Sequence, residues 1–94
     1  MRRSLGKDHP EYLTYLANVS ATYASIGRLG DAIKVLEERR DGTRRVLGKQ
    51  HLQYFDCLKA IASHHDDQGR HSDALQLLQE CQEGMRQSIG EEHP

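Results

Sequence analysis

The 94-residue chain has no tryptophan, one phenylalanine, two prolines and two cysteines. Each scarcity excludes something. With only four tyrosines beside the single phenylalanine, a core must be built largely from aliphatic and small residues. A chain of this length buries only about 60–65% of the surface it exposes when unfolded, so that core is thin. Two cysteines, Cys57 and Cys81, are too few for a disulfide scaffold and lack the paired spacing of a zinc site. No stretch approaches the ~20 apolar residues that a membrane-spanning helix needs. The N-terminal residues Met1-Arg2-Arg3-Ser4-Leu5-Gly6 lack the apolar centre of a secretory signal. Reduced thiols in the cytoplasm are therefore the expectation. Nor is one sign of charge in excess: 13 Lys and Arg stand against 14 Asp and Glu, for a net charge of -1 with His neutral. Nucleic acids and acidic membranes call for a basic excess, so neither is an expected partner.

What the chain does have is an internal repeat. Leu5-Gly6-Lys7-Asp8-His9-Pro10 returns as Leu47-Gly48-Lys49-Gln50-His51-Leu52, and again as Ile89-Gly90-Glu91-Glu92-His93-Pro94, with an offset of 42 each time. Aligning residues 5–46 with 47–88 gives 14 identities: Leu5, Gly6, Lys7, His9, Tyr12, Leu16, Gly27, Arg28, Asp31, Ala32, Leu36, Glu38, Gly42 and Arg44 with their partners 42 later. Average composition gives about three by chance. The chain thus divides into the end of a preceding unit (1–4), unit one (5–46), unit two (47–88) and the start of a further unit (89–94), an excerpt from a longer array.

Each unit predicts two helices. In the first, Tyr12, Leu16, Val19, Tyr23 and Ile26 recur at steps of 4, 3, 4 and 3, one stripe of a helix from Pro10 to Ile26. Pro10 suits the first helical position, with His9 or Asp8 at the cap. Gly27 ends it, and Gly27-Arg28-Leu29-Gly30 turns the chain. The second helix starts near Asp31, places Ala32, Ile33, Val35 and Leu36 inward and runs towards Val46. Unit two repeats the scheme: Tyr54, Leu58, Ile61 and His65 form the stripe, Gly69 the break, and Ala74, Leu75, Leu78, Cys81 and Met85 the second inward face. No segment alternates with period two, so strands are not expected. The short turns make the helices of a unit antiparallel neighbours. Small residues stand where their axes cross, Ser20 against Ala32 and Ala62 against Ala74. One hairpin cannot bury its stripe alone; stacked hairpins can, and the stack is an α-solenoid.

These residues resemble the tetratricopeptide repeat of the longer, 42-residue kind found in kinesin light chains. The matches are Leu5-Gly6 with His9-Pro10, Asn18-Val19-Ser20 with Tyr23, and Gly27-Arg28 with Ala32. In unit two they are Leu47-Gly48 with His51, Ile61-Ala62, and Gly69-Arg70 with Ala74. The resemblance implies an all-α fold, antiparallel helical hairpins stacked as a right-handed solenoid. It also implies a protein–protein interaction module without cofactor or catalysis, binding an extended peptide or partner helix in a concave groove lined by the first helix of each unit. Departures from the pattern are Leu52 in place of the helix-opening Pro, His65 in place of a packing Tyr, and Arg39-Arg40 and Cys81-Gln82 where small and apolar residues are usual. Gly42 and Gly84 each cost about 1 kcal/mol in a helix interior. Weaker second helices and looser packing between units are the expectation.

Groove-facing positions carried over from the family are Thr14, Ala17, Asn18, Ala21 and Ser25 in unit one, and Asp56, Lys59, Ala60, Ser63 and Asp67 in unit two. Asn18 can both donate to and accept from a ligand backbone; the alternative is a solvated amide. Thr14, Asp56, Lys59 and Ser63 would read ligand side chains. Asp56, Asp66 and Asp67 outnumber Lys59, which favours a basic or neutral ligand over an acidic one. The run Arg39, Arg40, Arg44 and Arg45 is interleaved with Glu37, Glu38 and Asp41 and reads as a salt-bridged solvated face, with a phosphate site as the other reading. His64 and Asp67 could share an ion but are only two ligands, so no metal is expected; His9, His51 and His93 read as caps. The glycines match no phosphate loop, and Cys81 falls on an inward stripe with Cys57 between helices, so no enzyme is expected. A different functional reading stands beside the groove: a structural spacer whose end faces, Tyr12 and Tyr15 at one end and Leu77, Cys81 and Met85 towards the other, stack on flanking repeats or drive self-association.

Overall fold

A computed structural model describes residues 9–48 and 51–88. Four helices follow one another: α1 (Pro10–Ser25), α2 (Leu29–Leu47), α3 (Leu52–Asp67) and α4 (His71–Ser88). No strand occurs among the described residues. Each helix packs on its neighbours in the chain, α1 on α2, α2 on α3 and α3 on α4. The chain is an all-α array of helical hairpins.

The helix ends repeat as faithfully as the sequence does. Pro10 is the first residue of α1, and the Nδ1 atom of His9 accepts a hydrogen bond from the Glu11 N–H at 3.0 Å. His51 does the same for the N–H of Gln53, also at 3.0 Å. Each ring satisfies one of the orphan donors at a helix start. His93 lies outside the described residues. Gly27 and Gly69 stop α1 and α3 with φ of +85° and +83°, the left-handed conformation that glycine adopts at no steric cost. This lets Arg28 N–H close back on the Tyr23 carbonyl at 2.9 Å, and Arg70 N–H on that of His65 at 2.8 Å.

Several expectations are corrected. The turn is shorter than Gly27–Gly30: α2 begins at Leu29, its first turn closed by Ala32 N–H on the Arg28 carbonyl and by an Arg28–Asp31 ion pair at 2.7 Å. The second helices run the longer course, α2 and α4 having 19 and 18 residues against 16 in α1 and α3. Gly84 has a packing reason, since a Cβ there would lie 2.6 Å from Cε1 of the buried Phe55 ring.

The stripes also shift. On α1 the buried residues are Leu13, Leu16 and Ser20, while Tyr12, Val19 and Tyr23 are half-buried and Ile26 is exposed. The reason is that, among the described residues, α1 packs chiefly on α2, whereas α3 is covered by α2 on one side and α4 on the other. Tyr54, Phe55, Cys57, Leu58, Ile61 and Ala62 are accordingly all buried on α3. On α4, Ala74 and Cys81 are buried but Leu75 and Leu78 stay exposed. The small crossing residues Ser20, Ala32, Ala62 and Ala74 are all buried. Two clusters form the core: Tyr54, Phe55, Leu58 and Cys81 between α3 and α4, and Ile33, Leu36 and Ile61 between α2 and α3, with Leu77 touching both.

Candidate functional site

Because α2 packs on both α1 and α3, the ridge of α2 between them becomes the floor of a cleft with α1 and α3 as walls. The cleft has a volume of about 620 Å³. Ala17, Ser20, Ala21, Ala24 and Ser25 form one wall, Asp56, Ala60 and His64 the other, and Leu36 and Arg39 the floor. The α1 wall carries no side chain larger than serine. A ligand backbone can therefore approach the helix closely, and the open ends suit an extended segment.

Arg39 is the residue that sequence reasoning misplaced. It does not lie on a salt-bridged solvated face. It is half-buried, its Nε donating to the Leu13 carbonyl at 3.0 Å and its Nη1 to Cys57 Sγ at 3.0 Å. One side chain thus bridges α1, α2 and α3 and brings a fixed positive charge to the groove floor. Arg40 pairs instead with its neighbour Asp41 at 3.1 Å. Glu38 accepts from the Tyr12 hydroxyl at 2.6 Å, and Glu80, 42 residues on, accepts from Tyr54 at 3.2 Å. These contacts tie the two helices of each hairpin together.

The groove-facing set divides among three clefts. Ala17, Ala21 and Asp56 meet in the cleft over α2, joined by Ser25 and Ala60. Lys59 and Ser63 line a second cleft of about 370 Å³, between α3 and α4, with Ala62, Asp66, His71, Ala74, Leu75 and Leu78. Asn18 lies in a third, about 350 Å³, on the outer side of α1 with Tyr15, Val19, Thr22, Tyr23 and Ile26. Thr14 and Asp67 are exposed on α1 and α3. Ser20, Ala24, Leu36, Arg39 and His64 of the central cleft were not singled out as groove residues. The signal for Ser20, Ala24 and Leu36 is helical spacing from Ala17 and Ala32; the signal for Arg39 is its counterpart Cys81 on the inward stripe, where Arg40 has Gln82.

Charge in these clefts is balanced. Lys59 reaches Asp56 at 3.8 Å, and Asp66 is bonded to His71. Both pairs are exposed and contribute little to stability. Asp66 and Asp67 do not line the central cleft, so their negative charge does not bias it, and Arg39 opposes Asp56 there. Burial pushes the Cys57 thiol above its ordinary value, with the Arg39 guanidinium pulling against that rise. Burial likewise raises Cys81. Raised thiols are poor nucleophiles, because the thiolate is the reactive form. Among the described residues no three His, Cys, Asp or Glu gather closely enough to hold a metal ion, and no helix is long and apolar enough to cross a membrane.

No curated protein matches the chain. The family model for the tetratricopeptide repeat matches it twice, over residues 13–53 and 56–94. Such repeats are non-catalytic scaffolds that generally mediate protein–protein interaction. Two consecutive matches, on helical hairpins with repeated caps, breaks and inter-helix ties, account for most of the sequence, and the chain belongs to the tetratricopeptide repeat family.

Proposed function

We propose that the chain is a cytoplasmic protein–protein interaction module that holds an extended segment of a partner in the cleft between α1 and α3. The observation that carries this reading is the composition of that cleft: a wall of alanine and serine, a floor of Leu36 and Arg39, and the larger polar side chains Asp56 and His64 on the opposite wall. Its volume of about 620 Å³ falls in the range of ligand-binding clefts. Arg39 and Asp56 offer one charge of each sign, which favours a neutral segment with polar groups at both edges. The 42-residue unit supports placing the chain among repeats of the longer, kinesin-light-chain-like kind.

A displayed library of linear peptides tests the proposal. Ala21 is exposed at the cleft wall, so Ala21→Arg fills the cleft without disturbing the core. Enrichment of peptides sharing a motif, lost with Ala21→Arg, is the expected outcome. No enrichment on a sample with full helical content overturns it.

A further inference from the structure

The joint between α2 and α3 shows what the bare faces of α1 and α4 are shaped to meet. In that joint Ile61 packs on Ile33 and Leu36, with Ala60 beside them, and Cys57 lies under Arg39. Shifted by the 42-residue offset, Ile33 and Leu36 become Leu75 and Leu78 on α4, and Ile61 becomes Val19 on α1. Ile33 and Leu36 are 6% and 4% exposed, whereas Leu75 and Leu78 are 56% and 44% exposed. Among the described residues the same helix face is covered once and bare once. On α1, the Cys57 position is Tyr15, exposed at 59% in the cleft that also holds Val19.

The two bare faces also fit each other in size. Inside the chain a long residue on the second helix, Arg39, meets a small one on the following helix, Cys57. At the bare ends the order is reversed. Cys81 stands in the Arg39 position, buried against Tyr54, Phe55 and Leu58, so no long side chain projects from the α4 face there. Tyr15 stands in the Cys57 position. Large against small is thus preserved across a joint made from α4 and α1.

We propose that a second copy of this chain docks there, α1 of one copy on α4 of the next, in the register that α3 takes on α2. The interface is heterologous, so each copy adds to the end of the last and growth does not close at a dimer by symmetry. The joint also builds a second groove. Its walls are Lys59 and Ser63 of one copy and Thr14 and Asn18 of the other, the counterparts of Ala17, Ala21, Asp56 and Ala60 in the internal cleft. Use of that composite groove rests on the peptide-binding reading; the joint itself does not.

Sedimentation equilibrium of the full chain without peptide, from micromolar to millimolar concentration, tests it. Tyr15→Glu and Leu78→Glu alter exposed side chains on opposite faces, and circular dichroism checks that helix content is kept. The expected result is a wild-type mass that rises past a dimer, and an association about tenfold weaker or more in each variant. Mixing the two variants restores a single one-to-one dimer, because one intact α1 face meets one intact α4 face, and nothing larger forms. A wild-type chain that stays monomeric throughout overturns the proposal. So does a plateau at twice the monomer mass that only one variant abolishes and that mixing does not restore.

Discussion

Phe55 lies so close to the α4 backbone at Gly84 that no side chain fits between them: a Cβ at position 84 would stand 2.6 Å from the ring Cε1 atom and 3.1 Å from Cζ. The ring is 2% exposed. Gly84→Ala should therefore destabilise the chain by about 1–3 kcal/mol through overpacking, even though alanine improves helix propensity by about 1 kcal/mol. Phe55→Leu, which installs the residue found at the equivalent position in unit one, should relieve most of the clash. Urea denaturation of the two single variants and the double variant gives the coupling. Additive effects would show that the contact is not what requires glycine.

Arg39 ties three helices through two hydrogen bonds, to the Leu13 carbonyl and to Cys57. Arg39→Ala should cost about 1.5–3 kcal/mol, the range for hydrogen bonds made by a charged group. Arg39→Met keeps the apolar stem and loses only the bonds, so it should cost less than alanine. Hydrogen exchange should show the loss concentrated at the α2–α3 contact. Equal stability of wild type and both variants would reduce Arg39 to a surface residue.

The two histidine caps are open to a simple test. His51→Ala removes the acceptor for the Gln53 N–H and should destabilise the start of α3 by about 1 kcal/mol. His51→Asn supplies another side-chain acceptor and should recover most of it. Thermal denaturation followed by circular dichroism reads both. Identical midpoints for alanine and wild type would mean that solvent satisfies the N–H equally well.

Burial raises the thiols of Cys57 and Cys81 above their ordinary value of 9.0. Burial first, and then the charge of and hydrogen bond to Glu80, raise the Tyr54 phenol above 10.0. In all three the neutral form is favoured in the folded chain. The folded state therefore holds more protons than the unfolded one over the interval between ordinary and raised values. Stability is full below a pH of about 9 and falls as pH climbs through the raised values. The urea midpoint should decline over that alkaline range, and less steeply in a Cys57→Ala, Cys81→Ala variant. At neutral pH a thiol reagent should react only as the chain opens. Immediate labelling of both cysteines would contradict their burial.

Much of this architecture is legible in the sequence because local signals and the repeat agree. His9 and His51 precede their helices, Gly27 and Gly69 follow them, and the 42-residue offset carries every one of these contacts from one hairpin to the next. The apolar stripes are less legible. Tyr12, Leu16, Val19, Tyr23 and Ile26 have perfect helical spacing, yet of these only Leu16 is buried; Val19 stands where Ile61 meets a preceding second helix, and α1 has no such neighbour among the described residues. The buried face, Leu13, Leu16 and Ser20, contains a serine and looks weaker on paper. Leu75 and Leu78 show the same effect at the other end. Arg39 and Gly84 depend on tertiary contacts alone, one reaching across 18 residues to Cys57 and the other making room for a ring 29 positions earlier. Periodicity marks Arg39 as inward, through its counterpart Cys81, but carries no information about what either residue touches. The groove residues were legible as helix positions, but not which of them share a cleft, because that depends on how consecutive hairpins stack.

The central claim is that the cleft over α2 holds an extended partner segment. An amide chemical-shift map of the ¹⁵N-labelled chain, titrated with a peptide enriched from the displayed library, tests it most directly. The account predicts shifts gathered at Ala17, Ala21, Ala24, Asp56, Ala60 and His64, and their loss in Ala21→Arg. Shifts confined to the outer side of α1 around Tyr15 and Ile26, or to α4, would contradict it.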